Sequence, residues 1–170
     1  FGIVVQAYQK RAPFVIDHIA HMATQLGRRI PVRLVKGAYW DAEVKRAQEL
    51  GLAGYPVFTH KNHTDIAYLA CAKALMDNAD VIYPQFATHN AGTIAAILNM
   101  ADPTGAKFEM QRLHGMAEVV YREVSRSASS LEGPTTAAPP VRAGSPLASD
   151  VPVRIYAPVG EHRDLLAYLV

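Results

Sequence analysis

Short apolar runs alternate along the chain with longer segments in which apolar residues recur every three or four positions. The short runs predict β-strands, and the longer segments predict amphipathic helices. Strands are predicted at residues 2–8, 30–38, 81–83, 107–113 and 152–157. Helices are predicted at residues 14–26, 41–50, 64–79, 91–100, 115–124 and 161–170. Gly27 and Gly51 are positioned to end the first two helices, and Asp41 is positioned to cap the start of the second.

This alternation predicts the α/β class, in which helical crossovers join parallel strands. A closed (β/α)8 barrel and an open doubly wound sheet both fit it. No Gly-x-Gly-x-x-Gly turn follows any predicted strand, so the dinucleotide fingerprint of open sheets is absent and the barrel is favoured. Eight strand–helix units need about 250 residues. The sequence therefore predicts a partial barrel of about five units, and we expect both ends to be truncated because the chain starts at Phe1 and stops inside a predicted helix.

Residues 125–150 differ in composition from the rest of the chain. Ser, Ala, Pro, Gly and Thr dominate there, and large apolar residues are scarce. Such a segment cannot bury enough apolar surface to offset the entropy lost on ordering. We predict one partial domain over residues 1–170, with a flexible insertion at 125–150.

Composition and charge exclude few classes of binding partner. Hydrophobic residues make up 50% of the 170 residues, and the formal net charge is +2, which is too small to predict a nucleic-acid surface. The single cysteine, Cys71, excludes an intrachain disulfide and is consistent with a reducing compartment. No uninterrupted apolar run reaches the roughly 18 to 20 residues of a membrane span.

Arg33 is the strongest chemical anomaly, because it interrupts an apolar strand. Alternation places Arg33, Val35 and Gly37 on one face of that strand and Lys36 on the other. Buried cations are costly unless they are paired or bind an anion. The strand alone fits a site no better than an arrangement in which one cation faces solvent near the strand end and the other makes a structural ion pair. Gly37 favours a site, because glycine permits close approach of a ligand at a strand end.

Polar side chains also follow other predicted strands. Residues 6–8, QAY, end the first strand, and residues 88–90, THN, follow the strand at 81–83. Each alone is more often a turn or a helix cap, but barrels assemble their sites at the carboxyl ends of successive strands. The spacing of His60 and His63 lacks a third metal ligand, so no metal site is predicted. A Gly-x-Ser-x-Gly nucleophile elbow is also absent from the sequence.

Six strings carry a resemblance to a known family. They are VQAY at 5–8, PVRLVKGAYWD at 31–41, YPVFT at 55–59, QFATHN at 85–90, FEMQRLHGM at 108–116 and RIYAPVG at 154–160. Together they resemble the proline dehydrogenase domain of bacterial bifunctional proline-utilisation flavoenzymes. The resemblance implies a distorted α/β barrel that holds FAD, oxidises L-proline to Δ1-pyrroline-5-carboxylate and passes electrons to a quinone.

The resemblance also implies roles for individual residues. Arg33 is expected at the flavin N5 edge as the catalytic residue. Expected FAD-binding residues are Gln6, Val35, Lys36, Gly37, Thr88 and His89, with Trp40, Thr59 and Asn90 as weaker candidates. Expected walls of the proline pocket are Tyr39, Leu113, Tyr156 and Tyr168.

Further expectations concern the parent protein. The resemblance implies a pyrroline-5-carboxylate dehydrogenase module in the same parent chain and a cytoplasmic enzyme that binds the inner membrane peripherally when reduced. The family's arginine pair that clamps the proline carboxylate would follow residue 170. A non-catalytic fragment, inactive on its own, is therefore the alternative for this chain, and a different α/β barrel that binds a phosphorylated ligand is a third interpretation.

Overall fold

A computed structural model describes residues 2–101, 104–129 and 151–157. Its strands are β1 (Ile3–Gln6), β2 (Ile30–Val35), β3 (Ile82–Ala87), β4 (Glu109–Leu113) and β5 (Val153–Tyr156). Its helices are α1 (Ala12–Leu26), α2 (Trp40–Glu49), α3 (Lys61–Asp77), α4 (Ala91–Ala101) and α5 (Glu118–Ser129). The predicted α/β class is confirmed.

The five strands form one sheet in the order β1-β2-β3-β4-β5, and every neighbouring pair is parallel. Spatial order therefore equals chain order across the described sheet. A doubly wound sheet reverses its order at a switch point, whereas a barrel adds each strand beside the preceding one. The strand order thus agrees with a segment of a barrel.

The core lies between the sheet and its helices. Alternate strand residues such as Val32, Leu34 and Phe86 are fully buried on the helix-facing side, where they meet Tyr68 and Leu75 of α3. We call this side of the sheet the outer face and the opposite side the inner face. The period of two along the strands and the apolar stripe of each helix together explain the burial.

Arg29, just before β2, links the amino ends of β3 and β4 by hydrogen bonds. It donates hydrogen bonds from Nε to the Ile82 carbonyl and from Nη2 to the Lys107 carbonyl, both at 3.1 Å. Its guanidinium also lies 5.1 Å from the centre of the Tyr83 ring. This end of a barrel normally serves stability rather than chemistry.

Several predicted boundaries were wrong. β2 ends at Val35 rather than at 38, and β3 continues past 83 to Ala87 because Pro84 is accommodated within the strand. α2 begins at Trp40 with Tyr39 at the N-cap, so Asp41 lies in the first turn and does not cap the helix. α1 ends as predicted, with Gly27 in the left-handed conformation at φ 57°.

α5 starts at Glu118 and continues through Ser129, so the first five residues of the segment predicted to be flexible are helical. Residues 130–150 and the predicted helix at 161–170 lie outside the described residues. Within the described ranges, no helix combines the length and apolar character needed to cross a membrane.

Candidate active site

The carboxyl ends of all five strands meet at one edge of the sheet because the strands are parallel. Gln6, Val35, Leu113 and Tyr156 are the last residues of their strands, and Thr88 directly follows β3. Most of the residues predicted for the site therefore share this edge. Sequence spacing alone could not establish that proximity, but the parallel registers do.

Arg33 lies on the inner face, one residue before the buried Leu34. Its guanidinium carbon is 4.3 Å from the centre of the Tyr156 ring, a cation–π contact. The Nε atom is buried and has no hydrogen-bond partner among the residues that the structure describes. A buried donor without a partner is costly, so this side chain is suited to a ligand that accepts hydrogen bonds or gains negative charge.

The turn after β2 holds Gly37 in a conformation that other residues rarely adopt, with φ 132°. A Cβ atom built on Gly37 would lie 2.6 Å from a ring carbon of the buried Tyr8. Tyr8 is fixed in turn by its amide, which donates to the Lys36 carbonyl at 2.9 Å. Packing against Tyr8 therefore gives a reason for glycine here that is separate from the ligand approach suggested by the sequence.

Lys36 forms a charged triad with Lys61 and Asp65, which both lie on α3. Its Nζ lies 2.5 Å from one oxygen of Asp65, and the Nζ of Lys61 lies 2.8 Å from the other. These two hydrogen bonds, the one from Lys36 first, hold the pKa of Asp65 below its usual value. Two ammonium groups share one carboxylate, so the triad retains a net positive charge beside the carboxyl end of β2.

His89 has a defined hydrogen-bonding role. Its Nε2 accepts a 2.9 Å hydrogen bond from the amide of Leu113, which joins the end of β3 to the end of β4. Burial, and secondarily the Arg112 guanidinium, lower the pKa of His89. The imidazole is therefore held neutral with its proton on Nδ1, where it can donate to a ligand.

Thr88 and Asn90, the neighbours of His89 in the sequence, both accept hydrogen bonds within the chain. Thr88 is buried, and its carbonyl accepts a 2.7 Å hydrogen bond from the hydroxyl of Tyr121 on α5. The side-chain oxygen of Asn90 accepts from the amide of Thr93 at 2.9 Å and so caps α4. Helix capping, the alternative that the sequence left open for Asn90, is thus observed.

The remaining candidates lie nearer the surface. The Trp40 ring is partly exposed, and its Nε1 donates to the Phe58 carbonyl at 2.9 Å. Tyr39 is 63% exposed, and Thr59 is also exposed. Neither Tyr39 nor Thr59 is therefore buried by the residues that the structure describes. Tyr168 lies outside the described residues.

A polar cluster on the inner face was missed by the sequence reasoning. Its centre is the buried carboxylate of Glu109, and we call it the Glu109 cluster. Its other members are Tyr83 and Gln85 of β3, Gln111 of β4 and Arg154 of β5. These polar residues alternate with Pro84, Phe86, Met110 and Ile155 along the strands. That period of two was the signal that could have revealed them.

Glu109 accepts hydrogen bonds on both carboxylate oxygens. Oε1 receives Gln85 Nε2 at 2.9 Å and Gln111 Nε2 at 2.7 Å. Arg154 donates from Nε to Oε1 at 2.7 Å and from Nη2 to Oε2 at 2.8 Å. The hydrogen bonds from Arg154 hold the pKa of Glu109 below its usual value, although burial opposes them. Glu109 is therefore ionised at neutral pH.

The described residues contain no group of three or more His, Cys, Asp or Glu side chains placed to hold a metal ion. At this edge the described residues supply the Arg33 guanidinium, amide and imidazole groups and aromatic walls. Such a set suits a large, polar-edged organic ligand. The Nε of Arg33, unpaired in the described part of the chain, would be available to the acceptor edge of a flavin ring.

Comparison with known proteins places these residues in a family. The family described as "Proline dehydrogenase" matches residues 1–170. "Bifunctional protein PutA" of Klebsiella aerogenes is 52% identical and that of Rhizobium meliloti 54% identical, each over 99% of the chain. The chain spans 12% of the length of each of these relatives.

Solved structures give the same result. A proline utilization A (PutA) variant from Bradyrhizobium japonicum is 50% identical with a TM-score of 0.80, over 99% of this chain and 15% of that one. Proline utilization A from Bdellovibrio bacteriovorus, inactivated by N-propargylglycine, is 35% identical with a TM-score of 0.79, over 99% of this chain and 16% of that one. The chain belongs to the proline dehydrogenase family.

Proposed function

From this family membership, we propose that the chain is part of an FAD-dependent enzyme that oxidises L-proline to Δ1-pyrroline-5-carboxylate. The observation that carries the proposal is Arg33, a cation on the inner face. Its buried Nε has no partner within the described ranges, and its guanidinium lies against Tyr156. Because the chain spans 12% of the length of its curated relatives, the activity is proposed for the full-length protein.

The residues of the carboxyl edge fit FAD. Gln6 and His89 offer side-chain hydrogen bonds, and the Lys36 triad offers positive charge for a pyrophosphate. The candidate set that would hold the cofactor is Gln6, Val35, Lys36, Gly37, Thr88 and His89, with Trp40, Thr59 and Asn90 as weaker members. When bound, FAD would accept at N5 the hydride that proline loses.

The chain's own residues would then act by charge and by shape. Arg33 carries a fixed positive charge, and such a charge stabilises negative charge that develops in the transition state. Tyr156 and Leu113 end neighbouring strands β5 and β4 and would wall the apolar pyrrolidine ring, with Tyr39 and Tyr168 as further proposed contacts. His89 holds the Leu113 amide and so positions that wall.

We further propose that the electrons pass to a quinone and that the full-length protein is cytoplasmic and binds the inner membrane peripherally when reduced. A pyrroline-5-carboxylate dehydrogenase module in the same chain is proposed as the consumer of the product. The word "bifunctional" in the names of the relatives supports a second activity.

The test is direct. The full-length protein should purify with a flavin absorbance spectrum, release FAD on denaturation and reduce an electron-accepting dye only when L-proline is added. Residues 1–170 expressed alone should bind FAD weakly and show no such reduction. A full-length protein without flavin, or one that holds flavin but ignores proline, would contradict the proposal.

A further inference from the structure

The inner face of the described sheet carries a small set of charges. Arg33 and Arg154 are its cations, and Glu109 is its anion. Arg154 donates two hydrogen bonds to Glu109, at 2.7 and 2.8 Å. Arg33 makes no ion pair within the described residues, and its contact is the uncharged Tyr156 ring. One cation is thus neutralised and the other is not.

The burial of Glu109 and its position near Arg33 favour an electrostatic role for its charge in addition to a packing role. The Glu109 side chain is 3% exposed, so its charge is weakly screened, whereas that of Arg154 is 61% exposed. A buried carboxylate is costly unless it is fully hydrogen-bonded, and five donor atoms on four side chains satisfy this one. Gln85, one of the donors, pairs directly with Arg33 in the sheet register. The Glu109 cluster therefore extends to the strand position beside Arg33.

We propose that Glu109 is a positioning residue that neutralises Arg154 and thereby leaves Arg33 as the uncompensated positive charge among the described residues of the inner face. The proposal rests on the FAD site proposed above. Gln85 connects Glu109 to the strand position beside Arg33, so the charge of Glu109 helps to set the flavin reduction potential. Removal of the negative charge would unmask Arg154 and favour the reduced, more negative flavin.

The test uses flavin reduction potentials, measured in the full-length protein by titration against redox dyes at pH 8. Glu109→Gln should shift the potential to a more positive value. Arg154→Met alone should lower it or leave it unchanged. The double variant, Glu109→Gln with Arg154→Met, should return close to the wild-type potential because both charges of the pair are gone.

A purely structural role gives a different pattern, because damage from loss of Glu109 would persist in the double variant. No shift in Glu109→Gln, a positive shift in Arg154→Met, or an undiminished shift in the double variant would each overturn the proposal. Loss of flavin from Glu109→Gln that the double variant does not restore would do the same. A wild-type protein without flavin would instead overturn the proposed function, so the two failures are distinguishable.

Discussion

The Arg33 guanidinium carbon lies 4.3 Å from the centre of the Tyr156 ring, although strands β3 and β4 separate their two strands. In a flat sheet, three spacings of about 4.8 Å would hold these backbones roughly 14 Å apart. Two long side chains on one face meet across that distance more readily when the sheet curves, as it does in a barrel. The contact therefore joins the second and fifth strands at the proposed site.

Arg33→Met should slow flavin reduction by proline about 100-fold in the full-length protein and weaken proline binding far less. A fixed charge acts mainly on the electron-rich state that forms during reaction, and loss of one such group typically costs this much. Anaerobic stopped-flow at several proline concentrations separates the two effects. Arg33→Lys, which keeps the charge but not the planar guanidinium, should be slowed less. Flavin reduction at the normal rate in Arg33→Met would remove Arg33 from the mechanism.

Gly37→Ala should destabilise the protein by about 1 to 3 kcal/mol and release FAD. The new Cβ would meet the Tyr8 ring at 2.6 Å in a backbone conformation with φ 132°. Gly27→Ala is the matched control, since Gly27 also has positive φ but a Cβ added there would meet no atom within 4 Å. Urea unfolding and flavin retention give the comparison. Equal effects of the two changes would show that the Tyr8 contact does not constrain the turn.

Arg29→Met should lower stability by about 1 to 2 kcal/mol and leave flavin reduction unchanged. The change removes two hydrogen bonds to the carbonyls of Ile82 and Lys107, each worth about 1 kcal/mol. These bonds lie at the amino ends of the strands, away from the proposed site. Urea unfolding and stopped-flow reduction of the same preparation provide the test. Slower reduction at full flavin occupancy would link this end of the sheet to the chemistry.

The sequence predicted element order well because strands and helices differ in apolar period, as β2 and α1 illustrate. It predicted strand ends poorly where a residue contradicts its neighbours. The predicted strand at 81–83 stops just before Pro84, yet β3 continues to Ala87 with Phe86 fully buried. Strand partners depend on register, which a single sequence does not display. The site residues that the resemblance implies could thus be named, whereas the hydrogen bonds of Glu109 could not.

His89→Gln should flatten the pH dependence of stability between about pH 7 and pH 5. Burial lowers the pKa of His89 in the folded protein, while the unfolded chain keeps the ordinary value near 6.5. As pH falls below 6.5, the unfolded state therefore binds a proton before the folded state does, and stability is lost until the lowered pKa is passed. Protonation would also remove the Nε2 acceptor from the Leu113 amide.

Glutamine suits this comparison because its side-chain oxygen can take the position of Nε2 and accept the same hydrogen bond without titrating in this range. Urea unfolding at intervals from pH 7.5 to 5 should show wild-type stability falling and that of His89→Gln falling less. Glu109 and Asp65 have lowered pKa values and lose their contributions only in more acidic solution, so they affect both proteins alike. Parallel pH curves for the two proteins would mean that His89 is not held neutral by the fold.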